Sequence, residues 1–561
     1  MKVLTTLQAN CKDCHRCVRV CPIKAIGIRR GQARLVDDKC ILCGKCVVEC
    51  PQQAKQVISQ IPVIQDALAQ GRLVVMSLAP SFVGAFPAFS PEQFFAAVRS
   101  LGFTVIEETA VGAEVVSQIY SSLITTADKP VISACCPVVV RLVERYYPEL
   151  VGNLAPVVSP MQAHGRILKK RYGNNAFVVF AGPCIAKFAE LAEANSAIDA
   201  VITFQQLNTW LKQQANHNTP CRFQTNMASS GRYFPIAGGI LKTCGHTSAV
   251  DAEIVAVDGI ENCIQVFDGI IKGQFAPKFV EALACTGGCI NGPAMVSGLC
   301  LPARRAKVIS FAVQGGQKPL TTPPDLDFKK VHQAKPVQLG QPSEQEIREI
   351  LSQIGKLTPA DEKNCGACGY NSCREKAIAV YQGMAEIDMC VPYMRSRAES
   401  FANMIVDNSL NAIIVVNDKL IIQEFNPAAE QMLQKRQDWV RGASLTEIMD
   451  CAEIIRAINS GVKVPRHRVE LPLYGLITEQ MIIPLPDEGL AILIISDITE
   501  QEKRAKELEQ VKLETVEKAT DIINKQMQVA QEIAGLLGET TAETKSALLE
   551  LIWLLKGKGA K

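Results

Sequence analysis

The sequence predicts a multidomain protein that combines α/β and α+β folds. The chain has 561 residues, which is enough for several domains of ordinary size. Residues 73–180 alternate short apolar strands with amphipathic helices, a pattern typical of an α/β domain with a parallel sheet. The 22 cysteines lie in tight clusters and are not spread along the chain as in a disulfide framework.

Charge and hydropathy exclude several classes of protein. The net charge is +3, so the sequence indicates neither nucleic acid nor an anionic membrane as a partner. The N-terminus lacks the basic and apolar regions of a signal peptide, and no apolar run approaches the ~18 residues of a membrane span. Clustered cysteines in such a chain predict metal ligands in a reducing cytoplasm.

Residues 1–60 contain two copies of one cysteine pattern. Each copy has the spacing C-x2-C-x2-C-x3-C-P, starting at Cys11 and at Cys40. This is the bacterial ferredoxin run, in which the fourth cysteine binds the other cluster. We therefore expect two [4Fe-4S] clusters in a ferredoxin-like electron relay, with zinc as the alternative. The predicted ligand sets are Cys11, Cys14, Cys17 and Cys50 for the first cluster, and Cys21, Cys40, Cys43 and Cys46 for the second.

Three further cysteine loops lie in residues 61–313. They read Cys135-Cys136-Pro137, Pro183-Cys184-x2-Lys187-x2-Glu190 and Cys285-x-Gly-Gly-Cys289-x2-Gly292. Glycines between the last two cysteines allow the backbone to approach a bulky group closely. In order and type, the three loops resemble the signature of [FeFe]-hydrogenases. The alternative is three unrelated loops with buried cysteines. The other cysteines of this region lack ligand spacing and are expected to be small buried apolar residues, namely Cys221, Cys244, Cys263 and Cys300.

The resemblance implies an H-cluster, which is a [4Fe-4S] cubane joined to a two-iron subsite with CO and CN ligands, and which oxidises H2 or reduces protons. Cys289 would bridge its two parts, Cys135 would pass protons, and Lys187 would hydrogen-bond a cyanide. Glu190 would lie at the inner end of the proton route. The cubane ligands would be Cys136, Cys184, Cys285 and Cys289, and other contacts to the two-iron site would come from Ala79, Pro80, Ser159 and Pro160.

Departures from the family pattern concern proton supply above all. Two glutamates and a serine of the usual route are replaced by Tyr120, Leu123 and Ala155. Two methionines near the two-iron site correspond to Gly182 and Leu283, and valine follows the CCP motif in place of tryptophan. Because fast turnover needs a continuous relay of titratable groups, we expect slow turnover with H2 binding retained.

Residues 314–342 are rich in Pro, Gly and polar residues and predict a linker. A helix capped by Ser343 should open the next domain, residues 343–400. This domain resembles a small four-cysteine [4Fe-4S] domain, which would bring the accessory clusters to three; zinc is again the alternative. Its predicted ligands are Cys365, Cys368, Cys373 and Cys390.

The C-terminal third of the sequence predicts a sensor domain followed by helices that pass on its signal. Residues 401–500 resemble a PAS domain that ends in Asp497-Ile-Thr499, although no residue identifies its ligand, and His467 is expected at the surface. Residues 501–561 predict helices, with an apolar stripe from Val516 to Leu537 that favours dimerisation over docking on the PAS domain.

Together the segments predict a sensory, PAS-containing [FeFe]-hydrogenase with low turnover. Its expected partners are H2, a redox protein such as ferredoxin, a second copy of the chain and a separate kinase or phosphatase. Two alternatives remain: a metabolic hydrogenase coupled to ferredoxin, and an iron-sulfur scaffold without the two-iron site.

Overall fold

The structure is a computed structural model that describes residues 2–193, 195–213, 230–246, 252–315, 325–537 and 546. The chain divides into two compact units, Met1–Tyr393 and Met394–Lys561. One continuous core in the first unit includes side chains from the dicluster region, the α/β region and the third cysteine domain. These three predicted regions therefore share one core.

The N-terminal cysteine region is built from short elements that leave room for large groups between them. Strand β1 pairs with β4, and β2 pairs with β3, both antiparallel. The two short helices each begin within a cysteine run. The elements are β1 (Leu4–Thr6), α1 (Arg16–Val20), β2 (Ile26–Arg29), β3 (Gln32–Leu35), α2 (Lys45–Val48) and β4 (Lys55–Val57).

The α/β region contains two parallel sheets. Their strand orders are β6-β5-β8-β9 and β10-β11-β7. Strands β5, β8 and β11 are buried along their whole length, as expected for parallel strands covered on both faces. The strands are β5 (Val74–Leu78), β6 (Val105–Glu108), β7 (Val131–Ile132), β8 (Phe177–Gly182), β9 (Ala200–Thr203), β10 (Ile254–Asp258) and β11 (Phe279–Leu283).

Helices cover both sheets. The helix that starts at Pro91 has a capping box formed by Ser90 and Gln93, and it ends just before Gly102, whose φ is +104°. The helices are α3 (Ile61–Ala69), α4 (Phe82–Ala85), α5 (Pro91–Ser100), α6 (Ala110–Thr126), α7 (Pro137–Tyr146), α8 (Pro160–Tyr172), α9 (Lys187–Leu191), α10 (Phe204–Gln213), α11 (Gly239–Thr243), α12 (Ile260–Ile271) and α13 (Leu301–Val313).

Where it is described, the predicted linker contains no helix, and Lys329 forms an isolated antiparallel bridge with Val157. Its residues Lys335 and Val337 donate backbone hydrogen bonds to carbonyl oxygens at the end of α7. The third cysteine domain then follows with helices α14 (Glu344–Gln353) and α15 (Cys373–Tyr381). The capping box at Ser343 and Glu346 is present as predicted.

Helix α16 (Val391–Asp407) contains the division between the two units. The second unit then forms a five-stranded antiparallel sheet in the order β13-β12-β16-β15-β14. Asn426 caps the helix that starts at Pro427, because its side chain accepts a hydrogen bond from the amide of Ala429. The elements are β12 (Ala412–Asn417), β13 (Ile422–Phe425), α17 (Pro427–Leu433), α18 (Gln437–Val440), α19 (Ala452–Ser460), β14 (Val464–Leu471), β15 (Leu476–Leu485) and β16 (Leu490–Asp497).

The last described helix, α20, runs over Thr499–Leu537. Along its predicted stripe, side chains such as Val516, Ile523 and Met527 are partly exposed. The side chain of Leu537 lies outside the described residues, and so does the predicted helix over 544–555 apart from residue 546. Within the part of the chain that is described, no helix is long and apolar enough to cross a membrane.

Candidate metal centre

A cavity of about 100 Å³ lies where the two parallel sheets present their carboxyl ends. Loops that follow β5, β7, β8 and β11 contribute to its wall, the position where α/β folds place their sites. Most of the predicted H-cluster residues line it, namely Ala79, Pro80, Cys135, Cys136, Pro160, Cys184, Lys187, Cys285 and Cys289.

The loop between Cys285 and Cys289 depends on its glycines. Gly287 and Gly288 have φ values of +80° and +90°, which side chains rarely adopt. A Cβ atom at Gly288 would lie 2.5 Å from the carbonyl oxygen of Pro235. The two glycines therefore let the loop fold back so that both cysteines border the same cavity.

The four predicted cubane thiols are close enough to influence one another. Burial, and then the neighbouring cysteines, raise the pKa of Cys285 and Cys289. Burial also raises the pKa of Cys184 to about 12, with Cys136 as the next cause. Burial thus keeps the thiols of Cys184, Cys285 and Cys289 protonated until a metal deprotonates them. This donor set suits a cluster that brings its own positive charge.

Lys187 and Glu190 form an ion pair beside the cavity. The Lys187 ammonium lies 2.6 Å from the Glu190 carboxylate and 3.4 Å from the carbonyl oxygen of Cys135. Ser159 donates to the same carboxylate at 3.1 Å. Ser159 and Glu190 therefore stand behind the cavity wall and hold Lys187 in it. Since Lys187 is only 8% exposed, it is a buried cation and not a surface lysine.

Sequence reasoning missed Ser81. Its side chain lines the cavity, is fully buried, and its hydroxyl has no hydrogen-bond partner among the described residues. An unpaired buried hydroxyl costs about 1–3 kcal/mol unless a bound group accepts its proton. Ser81 directly follows Ala79-Pro80, the pair that the resemblance places at the two-iron site. This adjacency in the sequence could have identified Ser81 as a further residue of the site.

The positions that depart from the family pattern also lie around this site. Val138 and Leu283 line the cavity. A Cβ atom at Gly182 would lie 2.7 Å from the ring of Phe180, which itself lines the cavity and so occupies this space. Ala155 is fully buried and offers no titratable group.

A second missed group is Glu281, on strand β11. It is 1% exposed, and burial raises its pKa to about 7 although it accepts hydrogen bonds from the amides of Gly238 and Leu241. Its charge is among the causes that raise the pKa of both Cys135 and Cys244. Glu281 is thus a buried carboxyl group whose charge acts on two thiols.

Tyr120 occupies the same neighbourhood. It is fully buried, and its hydroxyl accepts a hydrogen bond from the amide of Ala134 at 3.0 Å. Burial, and then the charge of Cys135, raise its pKa. Cys244 is half-buried and donates to the carbonyl oxygen of Ser117. The expectation that Cys244 is a plain buried residue therefore overlooked its polar contacts.

The remaining twelve predicted ligands form three groups of four, each around a small cavity. The cavity volumes are about 20, 10 and 20 Å³. The first is bordered by Cys11, Cys14, Cys17 and Cys50; the second by Cys21, Cys40, Cys43 and Cys46; the third by Cys365, Cys368, Cys373 and Cys390. The exchange of fourth cysteines between the first two sets agrees with the ferredoxin pattern. Among the described residues, no three His, Cys, Asp or Glu side chains are arranged to hold a single metal ion.

The second set lies against the main cavity. A Cβ atom at Gly44 would lie 2.5 Å from Pro293 and 2.9 Å from Ile185, two residues of the cavity loops. The charge of Cys43 acts on Cys285. Helix α7, which starts at the CCP motif, donates from Tyr146 to the carbonyl oxygen of Lys39 at 2.7 Å. These contacts fix the second cysteine set beside the predicted H-cluster.

Other cysteines and His467 are placed apart from these groups. Cys263 and Cys451 are buried as small apolar residues, whereas Cys300 is exposed, so its expected burial is wrong. Cys221 lies outside the described residues. His467 is partly exposed and pairs with Glu453 at 2.7 Å, in agreement with its predicted surface position.

Four parts of the chain match known domain families. Residues 72–293 match the family described as iron only hydrogenase large subunit, C-terminal domain. Residues 5–58 match a 4Fe-4S dicluster domain, 361–392 a putative Fe-S cluster domain, and 400–464 a PAS domain. The chain therefore contains an [FeFe]-hydrogenase large-subunit domain, preceded by a 4Fe-4S dicluster domain and followed by an FeS domain and a PAS domain.

Individual relatives are distant. The chain is 26% identical over 372 residues to the NADP-reducing hydrogenase subunit HndD of Solidesulfovibrio fructosivorans, covering 50% of this chain and 63% of the relative. It is 25% identical over 369 residues to iron hydrogenase 1 of Clostridium pasteurianum, covering 52% and 64%. The chain thus spans just under two thirds of the length of these two relatives.

A solved [FeFe]-hydrogenase from Chlamydomonas reinhardtii is 16% identical, with a TM-score of 0.38, covering 49% of this chain and 99% of that structure.

Proposed function

We propose that this protein is an H2-sensing [FeFe]-hydrogenase, which reacts reversibly but slowly with H2 and passes its redox state to the PAS domain. One observation carries the proposal. A cavity bordered by four cysteines, Cys135 and a buried lysine lies in a chain that continues into an FeS domain and a PAS domain. The reaction would be H2 ⇌ 2 H⁺ + 2 e⁻.

The residues present fit an H-cluster. Cys136, Cys184, Cys285 and Cys289 would hold the cubane, with Cys289 shared with the two-iron subsite. The group, when bound, supplies H2 cleavage and formation at iron. The protein supplies one ammonium, from Lys187, and one free hydroxyl, from Ser81, both suited to anionic ligands.

Slow turnover follows from the proton supply. The usual route is interrupted at Tyr120, Leu123 and Ala155, and of these only Tyr120 can carry a proton. We propose that Cys135 exchanges protons through Glu281, whose pKa of about 7 lets it give and take a proton near neutrality, and onward to Cys244. Such a replacement route supports reaction with H2 without high flux.

Electrons would pass between clusters along the contacts described above. The second cysteine set lies beside the main cavity, and the first contains Cys14, which is exposed. A redox protein such as ferredoxin would therefore reach the first cluster from solvent. The FeS domain leads toward the sensor, because its last ligand, Cys390, immediately precedes helix α16.

Helix α16 follows the FeS domain along the chain and precedes the first strand of the PAS domain. Near the end of α16, the carbonyl oxygen of Val406 accepts a hydrogen bond from Asn426, the residue that also caps α17 in the PAS domain. A change at Cys390 would act on the start of α16 and reach Asn426 at its end. We propose that this helix carries the signal.

The chain would transmit its signal as a homodimer. Apolar side chains on α16 and α20 are exposed in the single chain, including Phe401 at 64%, Ile405 at 59% and Ile522 at 61%. Exposed apolar stripes on helices favour association with a second helix. The dimer would signal to a separate kinase or phosphatase.

Two measurements test this function. Turnover is assayed with saturating electron donor, and hydrogen exchange of the PAS domain and α20 is compared under argon and under H2. We expect slow turnover together with changed exchange in these segments. Fast turnover with unchanged exchange would instead support a metabolic hydrogenase, in which the PAS domain only docks or dimerises.

A further inference from the structure

The FeS domain is docked on the dicluster domain. Lys24 donates to the carbonyl oxygen of Gly369 at 2.8 Å, and the amide of Ile28 donates to the carbonyl oxygen of Met384 at 2.9 Å. A Cβ atom at Gly369 would lie 3.1 Å from the amide nitrogen of Arg19. The third cysteine set therefore lies against the segment that contains Cys21, a predicted ligand of the second cluster.

Tyr370 lies at this junction. Its side chain is 3% exposed and lines the cavity of the third cysteine set, and its amide donates to the sulfur of Cys368. Its chain neighbour Gly369 packs against Val18 and Arg19 of the dicluster domain. The phenol thus lies beside the third cysteine set, close to the contact between the two domains.

The hydroxyl of Tyr370 is buried and has no hydrogen-bond partner among the described residues. Two lysines of this region, unlike the hydroxyl, have hydrogen-bond partners. Lys24 donates to the carbonyl oxygen of Gly369, and Lys376 donates to that of Ile387 at 2.7 Å. Leaving a buried hydroxyl unpaired costs about 1–3 kcal/mol, and native proteins rarely do so. The geometry therefore calls for an acceptor that the polypeptide does not provide.

We propose that Tyr370 donates a hydrogen bond to a sulfur of the third [4Fe-4S] cluster and thereby raises that cluster's reduction potential. The inference rests on the cluster set proposed above. Reduction adds negative charge to the cluster, so the hydrogen bond is stronger in the reduced state, and such bonds are known to tune cluster potentials. Tyr370 would thus set how readily an electron moves from the second cluster to the third.

The test is a redox titration of the full-length, cluster-loaded chain, monitored by electron paramagnetic resonance. The variant is Tyr370→Phe, which removes only the hydroxyl. The matched control is Tyr381→Phe, at an exposed tyrosine of the same domain. The signal of the third cluster is assigned as the one that is missing in Cys365→Ser.

Tyr370→Phe should keep its full iron content and lower the midpoint of the third cluster. We expect a threefold to tenfold higher ratio of oxidised to reduced cluster at fixed potential, where tenfold corresponds to about 59 mV. Tyr381→Phe should leave the midpoint unchanged. An unchanged midpoint in Tyr370→Phe, or a shift confined to the dicluster signals, would overturn the assignment.

The same experiments give a different result if the proposed third cluster is absent. If the wild-type chain carries no third cluster, its iron content is already too low and Cys365→Ser removes no signal. That result would refute the proposed third cluster, and with it the acceptor for Tyr370, before any titration is made.

Discussion

Glu281 should titrate near pH 7, and its replacement by glutamine should abolish that titration. The carboxyl group is 1% exposed on strand β11 and accepts amide hydrogen bonds of 2.8 and 3.0 Å from Gly238 and Leu241. Burial outweighs these bonds and raises its pKa from 4.5 to about 7. The substitution Glu281→Gln keeps the shape of the side chain and removes the ionisation.

The size of the expected change in stability follows from the pKa shift of Glu281. Between pH 4.5 and 7 the unfolded chain has lost the proton of Glu281 while the folded chain keeps it. The folded state therefore binds more protons, and its stability falls as the pH rises through this range. One pKa unit corresponds to about 1.4 kcal/mol, so the loss reaches about 3 kcal/mol above pH 7.

Two assays measure this effect. Infrared difference spectra recorded against pH should show a protonated carboxyl band that disappears with a midpoint near 7 and is missing in Glu281→Gln. The wild-type free energy of unfolding, relative to the variant, should fall by about 3 kcal/mol from pH 4.5 to above pH 7. A midpoint near 4.5, or a difference independent of pH, would refute the argument.

Three other substitutions should have distinct effects. Lys187→Met leaves the buried Glu190 carboxylate without its cation and should destabilise the first unit by about 3–5 kcal/mol in anaerobic denaturant titrations. Cys390→Ser should remove about four irons, measured by iron analysis, and leave the dicluster signals intact. Ile523→Asp places a charge on the apolar stripe of α20 and should shift the chain from dimer to monomer in light scattering.

Matched controls separate these effects from general damage. Lys170→Met removes an exposed ion pair with Asp325 and should cost at most about 1 kcal/mol. Glu517→Asp, at an exposed site on α20, should leave the oligomeric state unchanged. Equal destabilisation by both lysine substitutions, an unchanged iron content in Cys390→Ser, or monomers with and without Ile523→Asp would contradict the corresponding predictions.

Local sequence patterns predicted much of the fold because they reflect local physics. Apolar runs within residues 73–180 predicted parallel strands such as β5 and β8, and the capping residue Ser343 predicted where α14 begins. The cysteine spacing predicted the first two groups, including the exchange of Cys21 and Cys50, and each group lines a small cavity. The third group, around its own cavity, was expected from the resemblance to a four-cysteine domain.

Features that depend on distant contacts were not predictable. The docking of the FeS domain rests on residues such as Lys24 and Gly369, which are 345 positions apart. The burial of Glu281, and the lack of partners for Ser81 and Tyr370, appear only when several loops meet. In the sequence these polar residues look like ordinary surface residues. Their chemistry depends on burial, which the local sequence does not show.

The most direct test of an H2-reactive centre is an anaerobic infrared spectrum of the protein matured with the two-iron cofactor, recorded under argon and then under H2. Metal-bound CO and CN stretch in a region where protein does not absorb. The proposed function predicts such bands under argon and a shift of these bands under H2. A spectrum without them, from protein whose cubane clusters are intact, would contradict the hydrogenase function and leave an iron-sulfur scaffold.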